Sequence, residues 1–327
     1  MERPDQRFEP PAPAFTELSE RAAPHLPLRG PRLEELAALQ AHPRFAAAHR
    51  TAATGFIELW QRNRILNALV NDRIRWHISQ FAVYLHMLSR PNDPHSGLTV
   101  SRMTALCSEQ DFCSPGRAKA ILMLMRTFGY LAPAPNEADR RLRRLVPTER
   151  LMSLHAERNR RIFSAAAMVL PEYEGAFAAQ SHPDFTALFV CRYCEYFLAG
   201  FRFLDLVPEM RLFPERNAGI VILCTMLLSG EADDAYPPML PLRLSPSTVA
   251  RRFGVSRAHV RRLLQDAANE GLVERVDGER VRLLPRLTQG ANDFMAVQFL
   301  LVAQCAQEAY AELRREGAFA RSTAASA

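Results

Sequence analysis

One stretch, residues 245–283, constrains the fold more than any other because it reads as a helix, a tight turn, a second helix and a hairpin without interruption. Ser245 followed by Pro246 predicts a helix start in which the serine hydroxyl caps free backbone N–H groups. Gly254 can take a positive φ and turn the chain sharply, and Ser256 can cap the helix that follows. The stretch therefore predicts two short helices joined by a tight turn.

The second helix is predicted to be amphipathic. Its apolar residues recur at the i, i+3, i+4 and i+7 spacing of one buried face: Val260, Leu263, Leu264 and Ala267. The opposite face carries Ala258, Arg261, Arg262 and Gln265. Arginine can pair with guanine in the DNA major groove, and glutamine can pair with adenine. We therefore expect this outer face to suit the reading of bases.

A hairpin is predicted directly after this helix. Alternating residues on both sides of Asp277-Gly278 are typical of two antiparallel strands joined by a two-residue turn. Arg280 and Arg282 fall on one face of the returning strand, and Val281 and Leu283 fall on the other. We expect the arginine face to contact phosphates.

The whole stretch resembles the winged helix-turn-helix domains of bacterial transcriptional regulators, a broad group that includes the MarR, GntR and Crp types. The resemblance is carried by the spacing of Ala250, Gly254, Val260 and Leu263. It implies that the second helix enters the major groove of duplex DNA while the hairpin touches the backbone. The candidate DNA-binding residues of this unit are Ser247, Thr248, Ser256, Arg257, His259, Arg261, Arg262, Gln265, Arg275, Arg280 and Arg282.

The first half of the chain repeats the pattern. The segment from His42 to Phe45 matches the segment from His182 to Phe185, and later matches follow in the same order at offsets between 138 and 146. These are Leu98–Ser101 with Leu244–Ser247, Ser114 with Ser256, Gly129 with Gly271, and Leu145–Pro147 with Leu283–Pro285. We interpret this order as two related units in tandem.

The two copies differ where they would meet DNA. The longer connector from Cys107 to Cys113 predicts a looser turn in the first copy, and Lys119 and Met123 stand there in place of Arg261 and Gln265. A run of arginines near residue 142 suits phosphates better than bases, although it is also typical of a solvated surface. The candidate DNA-binding residues of this unit are Ser101, Arg102, Ser114, Arg117, Lys119, Met123, Arg140, Arg141, Arg143 and Arg144.

The predicted fold is mainly α, a pseudo-dimer of two tandem winged helix-turn-helix units with small β-hairpin wings, each preceded by packed helices. Its expected parts are a disordered proline-rich arm (1–31), a first helical and winged-helix unit (32–147), a connecting helix (148–180), a second helical and winged-helix unit (181–285), a C-terminal helix (286–315) and a disordered tail (316–327).

The helices between the two units carry many aromatic residues. We expect helices over 148–170 and 183–213, and the second holds Phe185, Phe189, Tyr193, Phe197, Phe201 and Phe203 at mostly helical spacing. Such a stripe is most often core or a subunit contact, but it can also line a pocket for a small-molecule effector. The helix over 292–315 should pack on the helices that precede the second unit.

Chemistry-bearing patterns are few. The spacing of Cys191 and Cys194 is not joined by further metal-ligand spacings, so buried thiols are the main interpretation and redox sensing is the alternative. The sequence contains no nucleotide-binding or catalytic string, so we expect neither a cofactor, nor a metal, nor an enzyme. It contains no signal peptide or membrane span, which predicts a cytoplasmic protein associated with the nucleoid.

A net charge of +6 favours an anionic partner. We expect a sequence-specific regulator of transcription whose partner is double-stranded DNA, in which the second unit carries most base specificity. A homodimer and an unidentified small-molecule effector are further partners that the sequence leaves open. Two alternatives stay open, namely a plasmid- or phage-type replication initiator and a winged-helix adaptor for protein interaction or chromosome organisation.

Overall fold

The computed structural model describes residues 32–61, 72–90, 93, 96–134, 144–231, 234–277 and 280–315. The protein is mainly helical, with two small antiparallel sheets. The helices of its first half are α1 (Leu33–Gln40), α2 (Phe45–Gln61), α3 (Arg73–Met87), α4 (Val100–Glu109), α5 (Pro115–Thr127) and α6 (Glu149–Ala166). Strands β1 (Leu131–Pro133) and β2 (Leu145–Pro147) lie between α5 and α6.

The second half continues with short helices before a second sheet. Its helices are α7 (Glu174–Ala178), α8 (Phe185–Leu198), α9 (Phe203–Leu206), α10 (Leu212–Glu215), α11 (Gly219–Leu227), α12 (Pro246–Phe253), α13 (Arg257–Asn269) and α14 (Pro285–Arg315). Short 3-10 helices span Pro171–Tyr173, Ala179–Ser181 and Pro208–Met210. The strands are β3 (Leu242–Arg243), β4 (Val273–Asp277) and β5 (Arg280–Leu283).

The same order of elements occurs twice. In the second half, β3 pairs with β5, which pairs with β4, and α12 and α13 lie between β3 and β4 in the chain. In the first half, Leu98 forms an antiparallel bridge with Leu145 of β2, and β2 pairs with β1. Helices α4 and α5 lie between Leu98 and β1 in the chain. In both halves the segment before the helix pair thus adds to the last strand of the hairpin.

Matching residues begin the helices at matching points. His42 Nδ1 accepts a hydrogen bond of 3.1 Å from the backbone N–H of Arg44, and His182 Nδ1 accepts one of 3.3 Å from that of Asp184. These contacts satisfy a free donor beside the start of α2 and of α8. The two histidines therefore play the same part at matching helix starts of the two halves.

The serines before α5 and α13 also act alike. Ser256 accepts from the N–H of His259, so its predicted cap is confirmed, and its counterpart Ser114 accepts in the same way from the N–H of Arg117. The predicted hydroxyl cap at Ser245 is wrong, because its side chain caps no helix N–H and only its carbonyl accepts, from Val249 at 3.1 Å. Pro246 removes one donor at that helix start in any case.

The turn of the first copy is less loose than expected. Residues 107–109 form the last turn of α4, and Asp111 takes a left-handed φ of 46° where Gly254 takes 68°. The N–H of Phe112 then donates to the carbonyl of Cys107, as the N–H of Val255 donates to that of Ala250. Aspartate tolerates this conformation better than most residues. The two helix ends are therefore built alike, and the first connector is one residue longer before its capping serine.

Two hydrophobic cores hold the molecule, and the halves contribute to both. Helix α2 packs on α6 of its own half and on α11 of the second half, and Ala53 and Ile57 belong to the second core. Reciprocally, α8 packs on α14 of its own half and on α3 of the first half, and Phe185 belongs to the first core. Each half thus places its leading long helix against the other half.

Two helix predictions need correction. The helix expected over 183–213 ends at Leu198 because Gly200 takes a φ of 97°, and shorter helices follow it. The C-terminal helix begins at Pro285, earlier than expected, so that Leu287 and Ala291 lie in the second core while residues from Met295 to Leu313 lie in the first. It packs on α8, as predicted. Among the described residues, no helix combines the length and apolarity needed to cross a bilayer.

Candidate nucleic-acid interface

Helix α13 presents one face to the core and one to solvent. Val260, Leu263, Leu264 and Ala267 are buried, as predicted, and the companion residues of α12 that were expected inside (Val249, Ala250 and Phe253) are buried too. This burial fixes the rotation of α13 about its axis. Its opposite face is therefore held outward.

That outward face carries arginines that have no counter-ion among the described residues. Arg257, Arg261 and Arg262 are exposed, and none forms an ion pair or hydrogen bond with any residue that the structure describes. No acid occurs between positions 257 and 265. The first acid of the helix, Asp266, is half-buried and paired with Arg216 at 2.9 Å. The face is consequently cationic along its first two turns.

Gln265 and the hairpin arginines have partners of their own. Gln265 donates to Asn269 at 2.9 Å and accepts from Arg275 at 3.2 Å. Arg280 pairs with Asp277, and Arg282 pairs with Glu274. The ion pair to Arg280 lowers the pKa of Asp277, which keeps that carboxylate charged. Arg280 and Arg282 are thus balanced by acids, unlike the arginines of α13, whereas Arg275 has the neutral Gln265 as its partner.

Two candidate residues anchor helices. His259 is half-buried, and its Nε2 lies 2.8 Å from the carbonyl of Asn217, just before α11. Arg117 occupies the corresponding place in α5 and forms an ion pair of 3.2 Å with Asp72, which caps α3. Each outer helix is thereby tied at its first turn to the residues that begin the preceding long helix. Neither side chain stands free on the outer face.

The remaining candidates of the second unit lie at helix starts. Ser247 and Thr248 are exposed in the first turn of α12, and Ser256 uses its hydroxyl to cap α13. The exposed pair is therefore available to a ligand, while the hydroxyl of Ser256 is engaged.

The first unit presents a poorer face. Lys119 and Met123 are exposed on α5, Met123 to 71%, and Ser101 is exposed on α4. Arg102 is half-buried, and burial lowers its pKa. Arg144 donates to Ser89 at 3.0 Å, while Arg140, Arg141 and Arg143 lie outside the described residues. Ser114, like Ser256, is engaged as a cap.

The aromatic stripe divides between core and cavity. Phe185 and Phe189 are fully buried against Phe163. Further along, four members of the stripe line a cavity between the two halves: Tyr193, Phe197, Phe201 and Phe203. The opposite wall contains Arg158, which no sequence pattern singles out because it stands in a run of charged residues typical of a solvated helix face.

The thiols are poorly suited to redox chemistry. All six cysteines are free, and those at 107, 194, 224 and 305 are buried. Burial raises the pKa of Cys107 to about 12 and also raises that of Cys194 well above its ordinary value, so neither forms a thiolate near neutral pH. Within the described ranges, no group of three histidine, cysteine or acidic residues is placed to hold a metal ion.

Comparison with known proteins adds no relative. No family model matches this chain, and neither a curated protein nor a solved structure is significantly similar to it.

Proposed function

We propose that this protein binds double-stranded DNA through α13 and the β4–β5 hairpin, as a tandem winged helix-turn-helix regulator of transcription. One observation carries the proposal: the outer face of α13 holds three exposed arginines and no acid, and the described protein offers them no counter-ion. An uncompensated cationic helix face attracts a polyanion, and releases counter-ions when it binds one.

The frame around α13 supports a groove contact. A left-handed turn at Gly254 sets α12 against α13, and the hairpin follows α13 directly. In such an arrangement the second helix can enter the major groove while the hairpin reaches the backbone. Arg261 and Arg262 are then the base-contacting candidates, and Arg257 is a phosphate contact at the helix start.

The hairpin arginines play a lesser part in this proposal. Arg280 and Arg282 already have acidic partners, so a phosphate must compete with Asp277 and Glu274 for them. Exposed ion pairs contribute little to stability because water and salt screen them, so a phosphate can displace the acids. The first unit adds exposed cations of α5 such as Lys119 and Arg126, and its contribution is mainly to the backbone.

The test begins with selection of bound sequences from random duplex DNA, followed by footprinting and a salt titration. The Arg261→Ala, Arg262→Ala double variant should lose about tenfold to a thousandfold of its affinity for the selected site and should approach its own affinity for random DNA. Arg160→Ala removes an exposed charge from α6 and should leave binding unchanged. Failure to enrich any sequence, or equal losses on selected and random DNA, would contradict specific binding by α13.

A further inference from the structure

The cavity between the two halves has a volume of about 400 Å³. Its walls come from α2, α3 and α6 of the first half and from α8, α11 and α14 of the second, and they are largely aromatic. Small-molecule sites in proteins usually measure about 300–1,000 Å³ and combine apolar walls with a few polar groups. The size and lining therefore fit a small, mostly apolar molecule.

Arg158 faces this space without an anion, whereas Arg202, also in the wall, donates to the neutral acceptors Phe197 and Gln110. Arg158 is only 8% exposed, and its guanidinium carbon lies 4.8 Å from the ring centre of Trp76 and 6.0 Å from that of Phe56. It forms neither an ion pair nor a hydrogen bond with any residue in the part of the chain that the structure describes. Contact with two rings offsets only part of the cost of burying a charge.

The acids of the cavity wall do not neutralise Arg158, because each is committed elsewhere. Asp72, Asp205 and Glu215 pair with Arg117, Arg211 and Arg73 respectively. No acid of the cavity wall is therefore free to neutralise the charge of Arg158.

A second donor in the same wall lacks an acceptor. Gln298 of α14 is 4% exposed, and its Nε2 has no hydrogen-bond partner among the described residues. The Nε of Arg73, also in the wall, is buried and unpartnered as well. Buried polar groups in folded proteins nearly always have partners. All three groups are donors, so the missing partner is an acceptor.

We propose that this cavity binds a small organic monocarboxylate with an aromatic or aliphatic body. The carboxylate accepts from the Arg158 guanidinium, which presents paired N–H groups to a planar anion, and from Gln298. The apolar body lies among the aromatic side chains of the wall. A carboxylate on such a body supplies both the negative charge and the apolar surface that the cavity demands.

The cavity also contacts the anchors of both outer helices. Asp72 lines it and holds Arg117 of α5, while Glu215 and Ile220 line it on either side of Asn217, which holds His259 of α13. A bound carboxylate therefore biases both helices, and it acts as an effector of DNA binding. This coupling rests on the proposed function, whereas the binding site does not.

The site is tested by calorimetric titration of the full chain with benzoate, 4-phenylbutyrate, 2-naphthoate and octanoate, each beside its primary amide. Tryptophan fluorescence gives a second readout, because the two tryptophans of the chain, Trp60 and Trp76, both line the cavity. At least one carboxylate should bind at one molecule per chain and change the fluorescence. Its amide should bind about tenfold to a hundredfold more weakly.

Matched variants assign the effect to the cavity. Arg158→Met should abolish the preference for carboxylate over amide, and Gln298→Leu should weaken carboxylate binding less. Arg160→Gln changes a neighbouring arginine of α6 that is exposed and paired with Glu157, so it should bind as the wild type does. Thermal melting accompanies each variant, and Arg158→Met should melt no lower than the wild type because it removes an unpaired buried charge. If Arg158→Met does not fold, Gln298→Leu decides the test.

The proposal is overturned if none of the four carboxylates binds, or if carboxylate and amide bind the wild type equally. Binding that survives Arg158→Met unchanged also overturns it. The coupling is measured separately, as a change of about fivefold or more in affinity for the selected DNA when the carboxylate is present. If the carboxylate binds but DNA affinity does not change, only the proposed coupling is contradicted. If the carboxylate binds and the protein has no affinity for DNA, the proposed function is contradicted and the carboxylate site is not.

Discussion

Helices α5 and α13 have similar supports but different outer faces. Both are capped by a serine, both follow a left-handed residue, and both are anchored at their third residue to the start of a preceding helix. Yet α13 presents Arg261 and Arg262, whereas α5 presents Lys119 and Met123. The comparison teaches that buried and capping positions set where such a helix lies, while its outer face can change without disturbing that placement.

The largest expected difference between the halves is in acid stability. His49 in α2 and His155 in α6 are buried, and His77 in α3 is half-buried. Desolvation lowers the pKa of these three histidines of the first half to about 4, 3 and 4 respectively, from about 6.5. The unfolded chain therefore binds more protons than the folded one below pH ~6.5, and stability falls as the pH falls from there towards 4. We expect a loss of about 3 kcal/mol for each histidine.

Denaturant unfolding between pH 7 and 4 measures that loss, and hydrogen exchange shows where it falls. Amides of α3 and α6 should lose more protection at pH 4.5 than those of α12 and α13, where His259 is hydrogen-bonded at the surface. Uniform loss of protection in both halves, or a stability that does not change over this range, would contradict the contrast.

The next largest effect concerns DNA affinity. Arg262→Ala should reduce affinity for the selected site by about 1–3 kcal/mol, because it removes a group that we propose to contact a base. Lys119→Ala should reduce affinity for all sequences by a smaller amount and flatten the salt dependence, because one phosphate contact is lost. Fluorescence anisotropy at several salt concentrations separates the two. Sequence-selective loss in Lys119→Ala would make the first unit a reader in its own right.

Substitutions at the two left-handed turns should change stability by a smaller amount, and in opposite directions. Gly254→Ala should destabilise the protein by about 1 kcal/mol, although a Cβ there would meet nothing within 4 Å, because the strain lies in the backbone. Asp111→Gly should be neutral or stabilising by a few tenths of a kcal/mol, since glycine suits a φ of 46° better. Thermal melting of both variants checks the pair, and destabilisation by Asp111→Gly would show that the aspartate side chain has a role beyond the turn.

The smallest effect is expected at the hairpin. Asp277→Asn releases Arg280 from its ion pair and should raise affinity for random DNA by about twofold at low salt. Glu231→Gln makes the same charge change at an exposed site away from the hairpin and is the control. An equal rise in both variants would show a general effect of net charge rather than a contact at Arg280.

Sequence patterns predicted the parts of this molecule that depend on local chemistry. The buried stripe of α13, the turn at Gly254 and the hairpin with Val281 and Leu283 inward all follow from spacing and residue type. The offset between His42 and His182 indicated matching helix starts, and both histidines make the same contact. Such features involve residues a few positions apart, so the sequence displays them directly.

Other features depend on distant partners and could not be predicted. Arg158 stands among charged residues of α6, and only the packing of α2, α3 and α8 encloses it. The left-handed φ of Asp111 could not be predicted, because glycine is the residue that sequence patterns associate with such turns. The sequence suggests His259 as a DNA-binding candidate because it does not show that the carbonyl of Asn217, 42 positions earlier, lies against the imidazole.

The exchange of leading helices between the halves bears on how the protein behaves on dilution. A dimer that places a helix of one chain against the core of another separates at low concentration, and its stability depends on concentration by mass action. Here α2 and α8 make that exchange within one chain, and the 31 residues of α14 run through both cores. The two halves therefore stay together at any concentration, and neither can be replaced by the corresponding half of another molecule without unfolding both cores.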